Sequence, residues 1–181
     1  MKSVFLFTIL LLFFMVIIFS CNKEYKTPED IESTVAFLDA SSALPVFPFG
    51  TNIIYIFVNA DWCKYSNGMR ERIFSRPEII EYMNTHLTCI SLMPDSINTI
   101  KFMGEEVTRE KLLRALQLKR YPGHYFFSPD GELKGVRDGY IDLRQFKQLL
   151  KYMAEGHVDK YDFKTFQFKP EAKLDTVIGE F

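Results

Sequence analysis

"NADWCKYSNGMRER", residues 59–72, sets a Trp-Cys pair between an apolar run and a helical one. Upstream, "TNIIYIFVNA" (51–60) is β-branched and aromatic without polar alternation, the pattern of a central strand covered on both faces. Downstream, Met69, Ile73 and Phe74 recur at helical spacing. Cys63 therefore stands where a strand gives way to a helix. The first N–H groups of a helix have no partner within it, and its dipole is positive there, so a thiolate is favoured. A free thiol titrates near ~8.5, and this placement lowers that value. Lys64 adds a cation, Ser66 offers a hydroxyl to the sulfur, and Trp62 shields one side.

Working outward, Thr27, Pro28 and Asp30 form a helix start, which predicts a helix over "TPEDIESTVAFLDASS" (27–42). "LPVFPFG" (44–50) ends it. After the Cys63 helix, Ser75 and Glu78 read as a capping box that restarts or kinks the chain. "HLTCISLM" (86–93) is the next strand, and "INTIKFMGEEVT" (97–108) a small hairpin turning at Gly104. Thr108 caps a helix containing Leu112, Leu113 and Leu116. "YPGHYFFSPDGELKGVRDGY" (121–140) reads as two antiparallel strands joined by Ser128-Pro129-Asp130-Gly131. Asp142 with Gln145 caps a last amphipathic helix that Gly156 ends. Beyond it, "YDFKTFQF" (161–168) is apolar enough to pack back on the domain.

With "ADWCKYS" (60–66), "RYPGHYFFSPDGEL" (120–133) and "GYIDLRQFKQLLKYM" (139–153), this order of elements resembles thioredoxin over residues 28 to 155. The resemblance implies an α/β fold: a three-layer α/β/α sandwich around a central mixed sheet, spanning a domain of residues 28–156. The "TIKF" stretch and the Phe-rich tail are similar to envelope thioredoxin-like proteins associated with sulfur oxidation. It further implies that Pro122 is a cis-proline facing Cys63, and that Tyr121 offers its backbone to an extended substrate. The chain departs from the family at Ser66, where a resolving cysteine is usual, and at Gly123, where threonine is common. It departs again at Phe57, where many members carry a buried aspartate that assists the second thiol. Ser66 and Phe57 are mutually consistent: without a second thiol there is nothing for that base to deprotonate.

Thiol–disulfide exchange passes through a mixed disulfide that a second thiol must resolve. Cys63 has none within its motif, so fast autonomous disulfide reduction is excluded, whereas stable adducts with thiol-bearing partners are not. Cys89 lies in the "LTCISL" strand, away from the helix start, and reads as a buried, inert thiol. His124 follows Pro122 closely; it reads as a structural histidine, with a Cys-His pair as the sharper alternative. Ligand spacing for a metal is missing, and no cofactor is implied. Asp61 reads as a solvated loop carboxylate.

At the other end, Lys2 precedes "SVFLFTILLLFFMVIIFS" (3–20), the pattern of a secretory signal over residues 1–20. Ile18-Phe19-Ser20-Cys21 resembles the bacterial lipobox, which implies lipidation of Cys21, a tether over 21–27 and a membrane-anchored chain. An uncleaved transmembrane anchor is the alternative, since the run approaches spanning length. Both place the rest outside the cytoplasm, where disulfides persist. The expected location is the periplasmic side of the cell envelope. Asn22, lacking the aspartate associated with inner-membrane retention in some bacteria, points to the outer membrane.

The remaining composition excludes more than it assigns. Net charge is −1, from 22 Lys+Arg against 23 Asp+Glu, with no basic run interleaved with aromatics, which argues against nucleic acid. Two functions stay open. One is monothiol thiol–disulfide exchange, with Cys63 and Ser66 as catalytic residues and Trp62, Tyr121 and Pro122 binding cysteine-containing envelope proteins or small thiols. The other is a redox-inactive interaction module on the same scaffold, because fold does not imply function. The C-terminal extension, 157–181, belongs to neither reading in particular.

Overall fold

A computed structural model describes residues 34–169 apart from Phe49 and Met103, and Pro45 by its backbone alone. The signal segment, Cys21, the tether, the predicted helix start at Thr27 and the end of the C-terminal extension lie outside the described residues.

The central element is β2 (Ile53–Val58), whose residues are almost wholly buried. It pairs in parallel with β3 (Leu87–Leu92) and antiparallel with β6 (Gly123–Phe127). Outside these lie β1 (Phe37–Asp39), parallel to β3, and β7 (Leu133–Asp138), antiparallel to β6, giving a five-stranded mixed sheet in the order β1-β3-β2-β6-β7. Along β2 the side chains alternate between faces, as the pleat requires. Tyr55 and Phe57 enter one core with Phe126, while Ile54, Ile56 and Val58 enter the other with Ile90 and Tyr125.

Each core is closed by helices. On the Tyr55 face lie α2 (Lys64–Arg72), α3 (Pro77–His86) and α5 (Leu143–Ala154), contributing Met69, Ile80 and Phe146 among others. Opposite them lie α1 (Ala40–Ala43), α4 (Arg109–Leu116) and the hairpin of β4 (Thr99–Phe102) and β5 (Glu105–Thr108), which turns at Gly104 with φ +82°. The result is a three-layer α/β/α sandwich with a mixed sheet. After α5, Gly156 takes φ +68°, and α6 (Phe163–Phe166) packs back so that Phe166 is fully buried under Tyr152.

The structure corrects two of the local readings. Residues 37–39, read as the later part of an N-terminal helix, form β1, because pairing with Cys89–Ser91 satisfies backbone groups that a helix would satisfy internally. Asp39 then caps α1, accepting from the backbone N–H of Ser41 at 2.9 Å. Ser75 does not cap α3: its hydroxyl donates back to the Glu71 carbonyl at 2.6 Å, and Arg76 is the N-cap with Pro77 following. Glu78, freed from a capping box, pairs instead with Lys147 of α5 at 3.0 Å.

Candidate functional site

β2 delivers the chain to the C-terminal edge of the sheet, where Asn59 to Cys63 turn into α2. Cys63 is the N-cap, with extended φ −86° and ψ 110°. Its N–H donates to Ala60 O at 3.1 Å, and its carbonyl accepts from Asn67 N–H at 3.0 Å. The residue keeps 7% of its surface exposed.

Two effects oppose each other at this thiol. Burial, the largest, disfavours the charged form; the backbone N–H groups of Ser66 and Tyr65, the Ser66 hydroxyl and the Arg70 charge together outweigh it. The net result is a thiol held below its ordinary value. Ser66 is itself fully buried, and its Oγ also accepts from Ala60 N–H at 3.4 Å.

The cation acting on the sulfur is not Lys64, whose ammonium lies 5.0 Å over the Tyr65 ring. It is Arg70, two turns along α2 on the Cys63 side. Arg70 is gripped by acceptors: Asn59 Oδ1, Asn67 Oδ1 and, at 3.0 Å, Asp61 Oδ1. Asp61, read as a solvated carboxylate, is exposed but paired. Asn59, fully buried, joins the ends of two strands by donating to Phe57 O at 3.1 Å and Ser91 Oγ at 3.0 Å. Sequence reasoning missed both Asn59 and Arg70. The one available signal was the seven-residue spacing of Cys63 and Arg70 on a helix.

Facing this turn is the loop before β6. The Tyr121–Pro122 peptide is cis, and Pro122 O accepts from Gly139 N–H at 2.7 Å. Trp62, 71% exposed, meets the Tyr121 ring edge-on at 5.4 Å and donates its indole N–H to Asp95 at 2.7 Å. Burial pushes the Tyr121 phenol up, Asp95 and the Cys63 sulfur adding to it and Arg109 opposing. Trp62 and Tyr121 thus meet at the surface, while Cys63, Ser66 and Pro122 are buried beneath it or beside it in the chain. Neither the N–H nor the carbonyl of Tyr121 has a backbone partner among the described residues.

Gly123 fits this loop through lack of a side chain. A Cβ there would come within 2.6 Å of Leu118 Cδ1 and 2.7 Å of Tyr125 Cε2, so the threonine common in the family would require Leu118 and the buried Tyr125 ring to shift.

The other titratable candidates are held within the core. His124 is buried between Tyr55 and Phe57, on the face that α2, α3 and α5 cover. Its Nε2–H donates to Gly139 O at 3.0 Å, which leaves Nδ1 to accept from the Tyr55 hydroxyl at 2.7 Å. Burial lowers its pKa to about 4, so the ring is neutral. Cys89 stands opposite Tyr55 in the sheet, and burial pushes its thiol up to about 12. Both cysteines are free. Among the described residues no His, Cys, Asp and Glu cluster is arranged to hold a metal ion.

Comparisons with known proteins agree with this architecture. A thioredoxin-fold protein from Helicobacter pylori superposes with a TM-score of 0.58 at 14% identity, covering 64% of this chain and 82% of that one. A thioredoxin from Thermus thermophilus superposes with a TM-score of 0.51 at 18% identity, covering 65% and 85% respectively. No curated protein sequence matches the chain significantly. The profile of the thioredoxin-like domain matches residues 50–154, the span from the entry of β2 to the end of α5 that carries both the Cys63 turn and the cis-proline loop, and the chain belongs to that family.

Proposed function

We propose that the protein carries out monothiol thiol–disulfide exchange through Cys63, in the cell envelope, tethered to a membrane through Cys21. The observation that carries this reading is the place of Cys63 as N-cap of α2, 7% exposed, where Ser66, Tyr65 and Arg70 hold its thiol below its ordinary value against the opposing effect of burial. The Cys63 thiolate attacks one sulfur of a client disulfide. One S–S bond breaks, the Cys63–client S–S bond forms, and the other client sulfur leaves as a thiolate. Release requires an external thiol, small or protein-borne, which attacks the mixed disulfide and returns Cys63 as thiolate. Ser66 stabilises the thiolate and cannot resolve the adduct. The Tyr121 backbone beside Pro122, without a backbone partner among the described residues, suits an extended client strand, with Trp62 edge-on to the Tyr121 ring.

The exposed side chains of Trp62 and Tyr65 also favour a second reading, an interaction module that binds its partner without sulfur chemistry. Capture under non-reducing conditions separates the two. Exchange predicts covalent complexes that vanish in Cys63→Ser and on adding dithiothreitol. Partners retained by Cys63→Ser would refute exchange and leave the module.

A further inference from the structure

We infer that the disulfides Cys63 exchanges with are anionic: thiols or client segments carrying carboxylates close to the reacting sulfur. This rests on Cys63 reacting as proposed above. The basis is an imbalance of committed charge around the sulfur. Lys119 and Arg120 directly precede Tyr121 and Pro122, are exposed, and make no ion pair or hydrogen bond among the described residues. Lys64, next to Cys63, is exposed and engages only the Tyr65 ring.

Of the acidic groups on the same surface, only Asp61 is neutralised by a cation, and Asp95 keeps its charge. Asp61 pairs with Arg70 at 3.0 Å, and Asp95 accepts from Trp62 at 2.7 Å. An approaching disulfide therefore meets Lys64, next to Cys63 in the chain, and Lys119 and Arg120, next to the Tyr121 ring on which Trp62 packs, against the charge of Asp95, on a chain whose overall net charge is only −1. Fields of this kind raise local substrate concentration and association rates by about 10-fold or more, and salt removes the effect. A carboxylate near the client cysteine would also replace water at Lys119 or Arg120 while its strand lies along Tyr121.

The test uses the full chain and three aliphatic disulfides: oxidised glutathione, which is anionic, hydroxyethyl disulfide, which is neutral, and cystamine, which is cationic. Adduct formation is followed by mass spectrometry, with Cys63→Ser as the blank. Each rate is read as a ratio to that of the neutral probe, which cancels changes in thiol reactivity. In Lys119→Gln/Arg120→Gln the glutathione ratio is expected to fall about tenfold at low salt and the cystamine ratio to rise. Lys64→Gln, next to Cys63 in the chain, moves both ratios the same way. High salt collapses the wild-type ratios towards those of the variant. Reaction with all three probes, but with ratios that neither the variants nor salt alter, overturns this inference and leaves exchange standing. Failure of Cys63 to react even with hydroxyethyl disulfide overturns the exchange itself, and this inference with it.

Discussion

Acidification should destabilise the fold through His124 before most carboxylates titrate. In the unfolded chain the imidazole protonates near its ordinary 6.5; in the fold it resists until about 4. The unfolded state therefore binds the extra proton first, and stability falls as pH drops through that interval. Above ~6.5 the contribution is complete, and below about 4 no more is lost. Each pH unit between the two values is worth about 1.4 kcal/mol, so the interval carries roughly 3 kcal/mol. The cause is local: the ring is fully buried, its Nδ1 must accept from Tyr55, and protonation would set two donors against each other. Asp39, Glu78, Asp130 and Asp162 are held below the usual carboxylate range, and their contributions are lost only as pH falls further. Urea unfolding between pH 7.5 and 4.5, compared with His124→Gln and with Tyr55→Phe/His124→Phe, isolates the effect. Both variants lack the titrating ring, so whatever their absolute stability, their pH slope should be shallower by about 1.4 kcal/mol per unit near pH 5. Equal slopes in all three proteins would refute the reasoning, as would an NMR titration of His124 in the fold centred near 6.5.

Native alkylation should modify Cys63 with a pH midpoint below that of a free thiol, and Ser66→Ala should move it upward; Cys89, with a pKa of about 12, should react only after unfolding. Ser66→Cys should create a dithiol that releases its own mixed disulfides, read as loss of trapped adducts in a pulse-chase with a client disulfide. Phe166→Ala should cost about 3–5 kcal/mol in denaturant unfolding, since the ring is fully buried and packs on Tyr152. A cost under 1 kcal/mol would show that residues 157–169 are not part of the cooperative unit.

Much of the fold was legible because its signals are local. Residues 53–58 announce a doubly covered strand, Gly104 a hairpin tip, and Asp142 a helix start, which it caps by accepting from Gln145 N–H at 3.0 Å. Residues 37–39 failed because strong capping signals at Thr27 and Pro28 invite an extension of helix that pairing with β3 overrides. Val35, Ala36, Phe37 and Leu38 differ in burial in the fold but are all apolar, so no period-two pattern was there to set against those caps. At the site, the place of Cys63 at the head of a helix was readable from the apolar run before it and the helical spacing after it. Asn59 and Arg70 were not, since their roles depend on strand ends meeting across the sheet. Nor was Tyr55 readable as the partner of His124, 69 positions away. Polar groups satisfied at such distances leave no periodic trace.

The departures at Ser66 and Phe57 then have one physical meaning. Phe57 is fully enclosed by aromatic neighbours, with Phe74 at 4.9 Å and the neutral His124 ring at 5.7 Å. A carboxylate there would be an unpaired buried charge, which costs several kcal/mol unless it stays protonated. This core therefore has an aromatic ring in the place of a base, and a second thiol restored by Ser66→Cys would release mixed disulfides without a carboxylate at position 57 to assist its deprotonation. What remains is a thiol held below its ordinary value at the helix end, with Arg70 contributing, beside an aromatic residue where the family's base would stand. The exchange proposed above asks for that arrangement and no more. Phe57→Asp, by the same reasoning, should destabilise the fold more than it helps any chemistry, even when combined with Ser66→Cys.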